Sequence, residues 1–504
     1  MNFKSAVSIA VILLVFWSCS TMDESKKKPN FIFILVDDLG WKDLGCYGSD
    51  FHETPNIDRL ASQGMRFTNA YAACPVCSPT RASIMTGKYP ARLKITDWIP
   101  GRQAYASAQP CDRLISRDFN LNLSLDELTI AEALRENGYR TFFAGKWHLG
   151  EEPQYWPEHQ GFEINKGGWS TGYPRGGYFS PYENPRLEDG PDGENLTDRL
   201  TDESIQFLEE NTEHPFFLYL SFYTVHTPLQ GKDELVKKYT KKLEDSGLDE
   251  ESMLTTDKEW IRYAPARGSF IERIRQGHPT YASMIETLDV NVGRLMRRLE
   301  ELGLDENTII FFMSDNGGLA TSEGSPTSNL PLRAGKGWLY EGGIREPMLI
   351  KWPGSAATGK TDDTPVTSTD FYPTILEIAG VNPRPEQHKD GVSLVPLFKG
   401  TEPAEETRPI FWHYPHYSNQ GGKPGAAIRL GNLKLIEFFE DNSVELYDLS
   451  VDPGEQNDLS LEMPGEVERL LEMLHNWQEE VGAEGMDPNP DYDPEYVREK
   501  YLEE

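Results

Sequence analysis

The sequence predicts an α/β protein: a large, mostly parallel or mixed sheet sandwiched by helices, followed by a smaller antiparallel-sheet subdomain. Three observations carry this expectation. Runs of strand length, the wholly apolar Phe31–Val36 and Thr308–Met313 foremost, lack the polar alternation of a half-exposed strand and suit parallel strands buried on both faces. From Pro29 to about residue 400, strand-like runs alternate with helix-like ones, the pattern of a sheet covered on both sides. Beyond residue 401 the runs become short and closely spaced: Pro409–Tyr414, Ala426–Leu430, Leu433–Phe438 and Glu445–Leu449.

Residues 1–28 read as a leader and tether. Lys4 precedes an apolar stretch, Ala6–Trp17, that is shorter than the ~17–25 residues of a membrane-spanning helix. That is the pattern of a secretory signal. It ends in Phe16-Trp17-Ser18-Cys19, a loose version of the bacterial lipobox, although Trp17 is bulkier than that pattern prefers. Export from a bacterium is expected, with the chain either anchored to the outer membrane or cell surface by lipid on Cys19 or left in the periplasm.

Residues 29–400 form the expected catalytic domain. Strands are expected at Phe31–Val36, Arg140–Ala144, Phe216–Phe222 and Thr308–Met313, and helices near Thr54–Gly64, Thr129–Asn137, Thr280–Leu302 and Asp370–Ile378. The Gly-, Pro- and Tyr-rich stretch Gly167–Pro191 and the charged Gly231–Gln276 are too long and irregular for simple connections, and are expected to border the site as insertions. Residues 401–482 make the C-terminal subdomain, closed by a helix near Glu466–Gly482, and 483–504 form an acidic tail ordered only by packing on the body.

Composition narrows the function. Among 504 residues, 81 acidic against 49 basic side chains give a net charge of −32 with no basic stripe, so nucleic acid is excluded as a partner. Five cysteines without regular spacing fit neither a disulfide framework nor a zinc site.

Two motifs carry chemistry. The first is Cys77-Ser78-Pro79-Thr80-Arg81. Pro79 suits a first helical turn, where no backbone N–H is needed. Cys77 then sits at the positive end of a helix, with Arg81 one turn along on the same face. Such a cysteine is either reactive or a buried structural thiol. The second motif is a pair of strand ends. One apolar run ends in Asp37-Asp38 and another in Ser314-Asp315-Asn316, so both deliver oxygen ligands where open α/β sheets bind their ligands. Three carboxylates and an amide oxygen suit a hard cation, calcium or magnesium.

With these residues in order, the chain resembles the formylglycine-dependent sulfatases of the alkaline-phosphatase superfamily, bacterial carbohydrate and aryl sulfatases among them. The resemblance runs from about Pro29 to the mid-450s. Cys77 matches the cysteine that this family oxidises to formylglycine (3-oxoalanine), which implies a maturation enzyme as partner. Asp37, Asp38, Asp315 and Asn316 match the ligands of a divalent cation, usually calcium, with the group made from Cys77 completing the set. Gly145-Lys146-Trp147-His148-Leu149-Gly150, Val225-His226-Thr227-Pro228 and Arg333-Ala334-Gly335-Lys336-Gly337 match further family segments, as does the turn Asp452–Leu459. Tyr340–Pro347 matches another, except that Glu346 stands where an apolar residue is common; a structural role is expected for it.

The resemblance implies a mechanism. A hydrated aldehyde carries two hydroxyls on one carbon, one to attack sulfur with the metal lowering its pKa and one to expel sulfate afterwards. His226 would protonate the departing sugar oxygen and His148 would take the proton that triggers release. Arg81 and Lys146 would steady the diol, and Lys336 would hold sulfate oxygens. Counting Asp37, Asp38 and Asp315 against Arg81, Lys146, Lys336 and a divalent cation leaves a formal excess of two positive charges, suited to a sulfate monoanion. The expected substrate is a sulfated poly- or oligosaccharide, galactose-type or rhamnose-type glycans being candidates. Trp98, His413 and His416 are candidate sugar contacts, because aromatics stack on sugar faces and histidines bind hydroxyls. The alternatives are a phosphodiesterase or phosphonate monoesterase of the same superfamily, and a non-catalytic receptor for sulfated glycans. The acidic surface would repel a sulfated polymer at long range, but in salty water, which the charge weakly suggests, only the local pocket counts.

Overall fold

The computed structural model describes residues 27–494 apart from 102, 104–107, 256–270, 356 and 402–407. The expected signal and Cys19 in residues 1–26, and residues 495–504 of the acidic tail, lie outside it. Among the described residues no helix is long and apolar enough to cross a membrane.

Nine strands form the main sheet: β1 Asn30–Val36, β2 Met65–Tyr71, β3 Arg140–Gly145, β4 Ile164–Lys166, β5 Phe216–Ser221, β6 Thr308–Ser314, β7 Arg345–Lys351, β8 Lys360–Asp362 and β9 Val366–Thr367. Their order is β8-β2-β7-β6-β1-β5-β3-β4, with β9 alongside β2. Only β7 runs antiparallel to its neighbours. β1 lies at the centre, with Phe31 level with Phe217 of β5 and Ile309 of β6. All seven of its residues are buried, because helices cover both faces. Phe31, Phe33 and Leu35 pack towards the Cys77–Thr86, Ile130–Glu136 and Phe371–Ala379 helices. Ile32, Ile34 and Val36 pack towards Pro55–Gln63, Leu196–Glu210 and Pro279–Glu301. Each such side chain contributes roughly 1.5–3 kcal/mol by leaving water, which makes the strand ends a rigid base for chemistry.

β10 Pro409–Tyr414, β11 Gly425–Leu430, β12 Leu433–Phe438 and β13 Val444–Asp448 form a separate antiparallel sheet in sequence order. Its Trp412, Ala427 and Ile436 pack on Tyr71, Trp338 and Ile344 of the large domain. Its other face is covered by the Pro464–Val481 helix, with Phe411 and Trp477 stacked at 4.7 Å. A buried ion network ties the two parts together. Lys434 on β12 donates to Glu341 at 3.0 Å and Glu455 at 2.7 Å, all three with no exposed side-chain surface. Tyr71 also donates to Glu341, at 2.8 Å.

The regions expected to border the site differ. Gly167–Pro191 reaches the site through Ser170–Tyr173. The described part of Gly231–Gln276 does not itself line the site pocket: its helix, Asp233–Ser246, lies against the Pro279–Glu301 helix, and its paired Leu254–Thr255 and Glu272–Arg273 reach the loop that carries Glu323 through hydrogen bonds from Arg273 to Ala320 and Ser325. The start of the tail is also packed: Asp487–Pro488 pairs with Leu114–Ile115.

Candidate active site

The site sits at the carboxyl ends of four adjacent strands, β6, β1, β5 and β3, as expected for an open α/β sheet. Successive side chains on a strand point to opposite faces, so Asp37 and Asp38 could not converge if β1 simply continued. It stops at Val36, and Asp38 takes a left-handed φ of 61°. β6 ends beside it in Asp315 and Asn316, and Asn316 Nδ2 donates to Asp38 Oδ1 at 2.8 Å. Behind the turn, Tyr281 and Thr327 donate to the buried Asp43, and the Asp43 carboxylate accepts from the Gly40 amide at 2.8 Å.

β3 ends in Gly145, where Lys146 and His148 begin. An added Cβ at Gly145 would lie 1.8 Å from the Ser221 carbonyl oxygen, so only glycine lets the chain turn there. Lys146 Nζ lies 2.9 and 2.7 Å from the two oxygens of Asp37. Lys336 Nζ donates to Asp38 at 2.8 Å.

Cys77 opens the Cys77–Thr86 helix, preceded by an extended Val76, with Pro79 in the first turn. Arg81, one turn on, faces the same centre. Its Nε donates to Asp315 at 2.9 Å, with Nη2 in ion-pair contact with the same oxygen at 2.7 Å, and its Nη1 donates to the Lys146 carbonyl at 2.8 Å and to Ser221 Oγ at 2.7 Å. Arg81 therefore ties the helix to the ends of β6, β3 and β5 at once.

Both histidines have a defined tautomer. His148 Nε2 meets the Ile99 carbonyl, which can only accept, so Nε2 carries the proton. The Nδ1 lone pair then faces Cys77 Sγ at 3.3 Å. His226 Nδ1 meets the Thr227 carbonyl at 2.7 Å, which leaves Nε2 facing the pocket, 3.7 Å from Asp38. Burial, reinforced by Lys336, lowers His226 to about 4. Burial also pushes His148 well down, helped by Lys146 and Arg81. It pushes the Cys77 thiol up, against the pull of Lys146 and Lys336.

The oxygen set fits a hard cation. Asp37 and Asp315 converge with Cys77 so that one ligand atom of each lies within 4.8 Å of the others. The two amide hydrogens of Asn316 are directed to Asp38 and the Gly317 carbonyl, at 2.8 and 3.0 Å. Its Oδ1 is thereby turned away, buried and without a hydrogen-bond donor among the described residues. An unsatisfied buried acceptor costs about 1–3 kcal/mol, and a cation held by the carboxylates would satisfy it.

Above this floor opens a pocket of about 430 Å³, lined by Cys77, His148, His226 and Lys336 below and by Trp98, Glu151, Tyr173, Glu323 and Gln420 nearer the mouth. Trp98 thus lies where a sugar contact was expected. His413 and His416 do not, and that expectation is corrected. His413 is buried, with Nε2 2.9 Å from the Glu484 carbonyl and Nδ1 accepting from Gln478 at 3.1 Å. His416 is buried against Thr96 Oγ1 at 2.8 Å. Neither lines the pocket; they satisfy polar groups inside the junction with the small sheet. Sequence reading missed Ser221 and Glu323. Ser221 looked like one more strand residue, and Glu323 sits in a Ser/Gly loop with no motif around it.

Buried cations and oxygen ligands gathered round a helix-terminal cysteine make a centre that holds a tetrahedral oxyanion against a nucleophile, the task of an ester hydrolase for anionic esters. Known proteins narrow that class. Residues 29–381 match the Sulfatase family, and residues 334–481 match the family described as N-sulphoglucosamine sulphohydrolase, C-terminal. Relatives include a Sulfatase of Formosa agariphila, 31% identical over 89% of this chain and 87% of its own length. Arylsulfatase A of Homo sapiens is 33% identical over 90% of this chain and 87% of its own. A solved structure of Ps i-CgsB in complex with k-i-k-neocarrahexaose is 30% identical, with a TM-score of 0.70, covering 94% of this chain and 95% of that one. The chain belongs to the sulfatase family and is a sulfatase with the alkaline-phosphatase-like fold.

Proposed function

We propose that this sulfatase removes sulfate from sulfated carbohydrate, using formylglycine made from Cys77 and a divalent cation, calcium or magnesium, held by Asp37, Asp38, Asp315 and Asn316. The observation that carries the proposal is the setting of Cys77. It is buried at a helix start, with the His148 Nδ1 lone pair 3.3 Å from Sγ and Lys146 and Lys336 near enough to act on its charge. Burial keeps the unmodified thiol protonated, so as it stands it is a weak nucleophile; an aldehyde hydrate needs no thiolate. The carbohydrate substrate draws support from the similar structure solved in complex with k-i-k-neocarrahexaose.

The bound cation would supply Lewis-acid stabilisation of an oxyanion and a lowered pKa for an adjacent hydroxyl. Lys336 holds sulfate oxygens and offsets their charge, while Lys146 steadies the nucleophile-bearing group with Arg81. Arg81, fixed to Asp315, Ser221 and the Lys146 carbonyl, orients the nucleophile-bearing end of its helix. His226 Nε2 faces the pocket and delivers a proton to the departing sugar oxygen; the negative charge of an arriving sulfate favours its protonated form. His148 Nδ1, left as the lone-pair nitrogen by the Nε2–H bond to Ile99, takes the proton from the group at position 77.

Export through the leader, lipid on Cys19 and a maturation enzyme acting on Cys77 belong to the same proposal. The test is sulfate release from defined sulfated mono- and oligosaccharides, alongside peptide mass spectrometry of the active protein. Cys77 alone should carry the aldehyde. An active enzyme with an unmodified thiol there would overturn the mechanism.

A further inference from the structure

The pocket mouth carries carboxylates that no described lysine or arginine of the pocket lining accompanies at the rim. Lys336 is the only lysine or arginine among the described residues lining the pocket, and it is spent on Asp38 at the floor. The mouth instead carries two carboxylates, Glu323 and Glu151, both on exposed residues. Glu323 accepts from Thr227 Oγ1 at 3.2 Å, next to His226. Glu151 lies three residues beyond His148 in the chain.

Glu323 is not a loose surface charge. It takes a left-handed φ of 54° and also accepts from Gln420 and from Asn419, so its carboxylate is fixed at the rim. In the same pocket Trp98 and Tyr173 offer aromatic surface, Tyr173 with 49% of its area exposed. A sugar ring can stack there while its hydroxyls reach Glu323, Asn419 and Gln420, since carboxylates and amides bond neutral hydroxyls well. A second sulfate or a uronic carboxylate beside the reacting sugar would instead face fixed negative charge with no described cation to meet it.

Resting on the carbohydrate-sulfatase reading, we propose that the mouth selects a neutral sugar residue bearing a single sulfate, and that Glu323, with Glu151, excludes substrates carrying another anion next to the scissile ester. Glu323 acts on specificity and not on the bond-breaking step.

The test measures kcat/KM of the matured full-length protein on a neutral disaccharide monosulfate, on the same disaccharide with a second sulfate on the adjoining sugar, on a uronate-containing monosulfate, and on an aryl sulfate. The wild type should favour the neutral monosulfate over the two doubly charged sugars by roughly five- to ten-fold, the size expected for unit charges several Å apart at a protein surface. Glu323→Gln, which keeps an acceptor oxygen for Thr227 and Gln420, should cut that ratio several-fold, and Glu151→Gln should cut it further. Raising the ionic strength should narrow the wild-type ratio as screening grows. Equal or better turnover of the doubly charged sugars by the wild type, or a ratio indifferent to both substitutions, would overturn the inference while leaving the carbohydrate-sulfatase reading intact. Turnover of the aryl sulfate alone, or of nothing, would instead bring down the carbohydrate reading, and this inference with it.

Discussion

Glu346 should make this protein less stable as the pH rises, and Glu346→Val should remove the loss. The side chain sits on β7, level with Ala70 of β2, with no exposed surface. Neither carboxyl oxygen has a hydrogen-bond partner among the described residues. Burial, reinforced by Asp315, Asp38, Asp43 and Glu341, holds the group well above its ordinary value of 4.5. The native state therefore keeps the proton while the unfolded chain gives it up. The penalty is absent below about pH 4.5, where both states are protonated, and grows by about 1.4 kcal/mol per pH unit until the native group itself ionises. Between pH 5 and pH 8 the loss reaches at most about 4 kcal/mol. Valine is of similar size and also removes an unsatisfied buried polar group, a pH-independent gain of about 1–3 kcal/mol. An unfolding entropy of roughly 2.1 cal/mol/K per residue makes 1 kcal/mol worth about 1 °C in a chain of this length. Thermal scans of metal-free protein at pH 5, 6.5 and 8 should therefore show Glu346→Val ahead by about 1–3 °C at the lowest pH and by several degrees more at the highest. Glu346→Gln, which cannot titrate, should recover the pH-dependent part only. Adding a divalent cation, whose charge opposes that of Asp38 and Asp315, should narrow the gap. A constant gap across the three pH values, or a destabilised valine variant, would refute a buried protonated carboxyl.

Asp315→Ala removes a ligand and the partner of Arg81 together, so divalent cation measured by elemental analysis and sulfatase activity should both be lost; retention of the cation would show that the ligands lie elsewhere. Lys434→Met strands Glu341 and Glu455 in the interior and should cost about 3–5 kcal/mol, whereas the triple change Lys434→Met, Glu341→Gln and Glu455→Gln should recover much of that in denaturant melts. His226→Ala should hurt sugar sulfates far more than an activated aryl sulfate, whose leaving group needs little protonation. His148→Ala should instead give a burst of aryl alcohol followed by slow turnover, because it acts on the later step; equal losses on both substrate types for His226→Ala, with no burst for His148→Ala, would mean the two roles are misassigned.

Much of this architecture is legible before any coordinates. Apolar runs without alternation can only be strands covered on both faces, and ligands placed just after them must sit at strand ends. That reasoning locates Asp37, Asp38, Asp315 and Asn316, and the proline after Cys77 locates a helix start. What sequence alone does not carry is lateral order. Nothing in the runs says that β6, β1, β5 and β3 are neighbours, so the meeting of Arg81 with Ser221 and the Lys146 carbonyl was invisible, as was the hydrogen bond from Thr227 to Glu323. His413 and His416 misled for a related reason. A histidine in an aromatic-rich strand looks the same whether it meets a ligand or a backbone carbonyl, and only tertiary packing decides. Glu346 stood out from the sequence as a departure, but its lack of partners required the folded neighbourhood.

The division of labour between strand ends and loops has a practical consequence. Most of the reacting groups stand at the ends of four strands of one sheet and on one helix, with Lys336 on a loop, whereas the pocket walls come from four surface segments around Trp98, Tyr173, Glu323 and Gln420. The Glu323 and Gln420 segments are tied to each other by hydrogen bonds and the Trp98 segment meets His148 through the Ile99 carbonyl, so these contacts must be kept when a wall segment is changed. The molecule is thus a fixed reaction platform with an exchangeable rim, and new sugar preferences should be reachable by exchanging rim segments, the bonded Glu323 and Gln420 segments together, while the residues at the strand ends stay where they are.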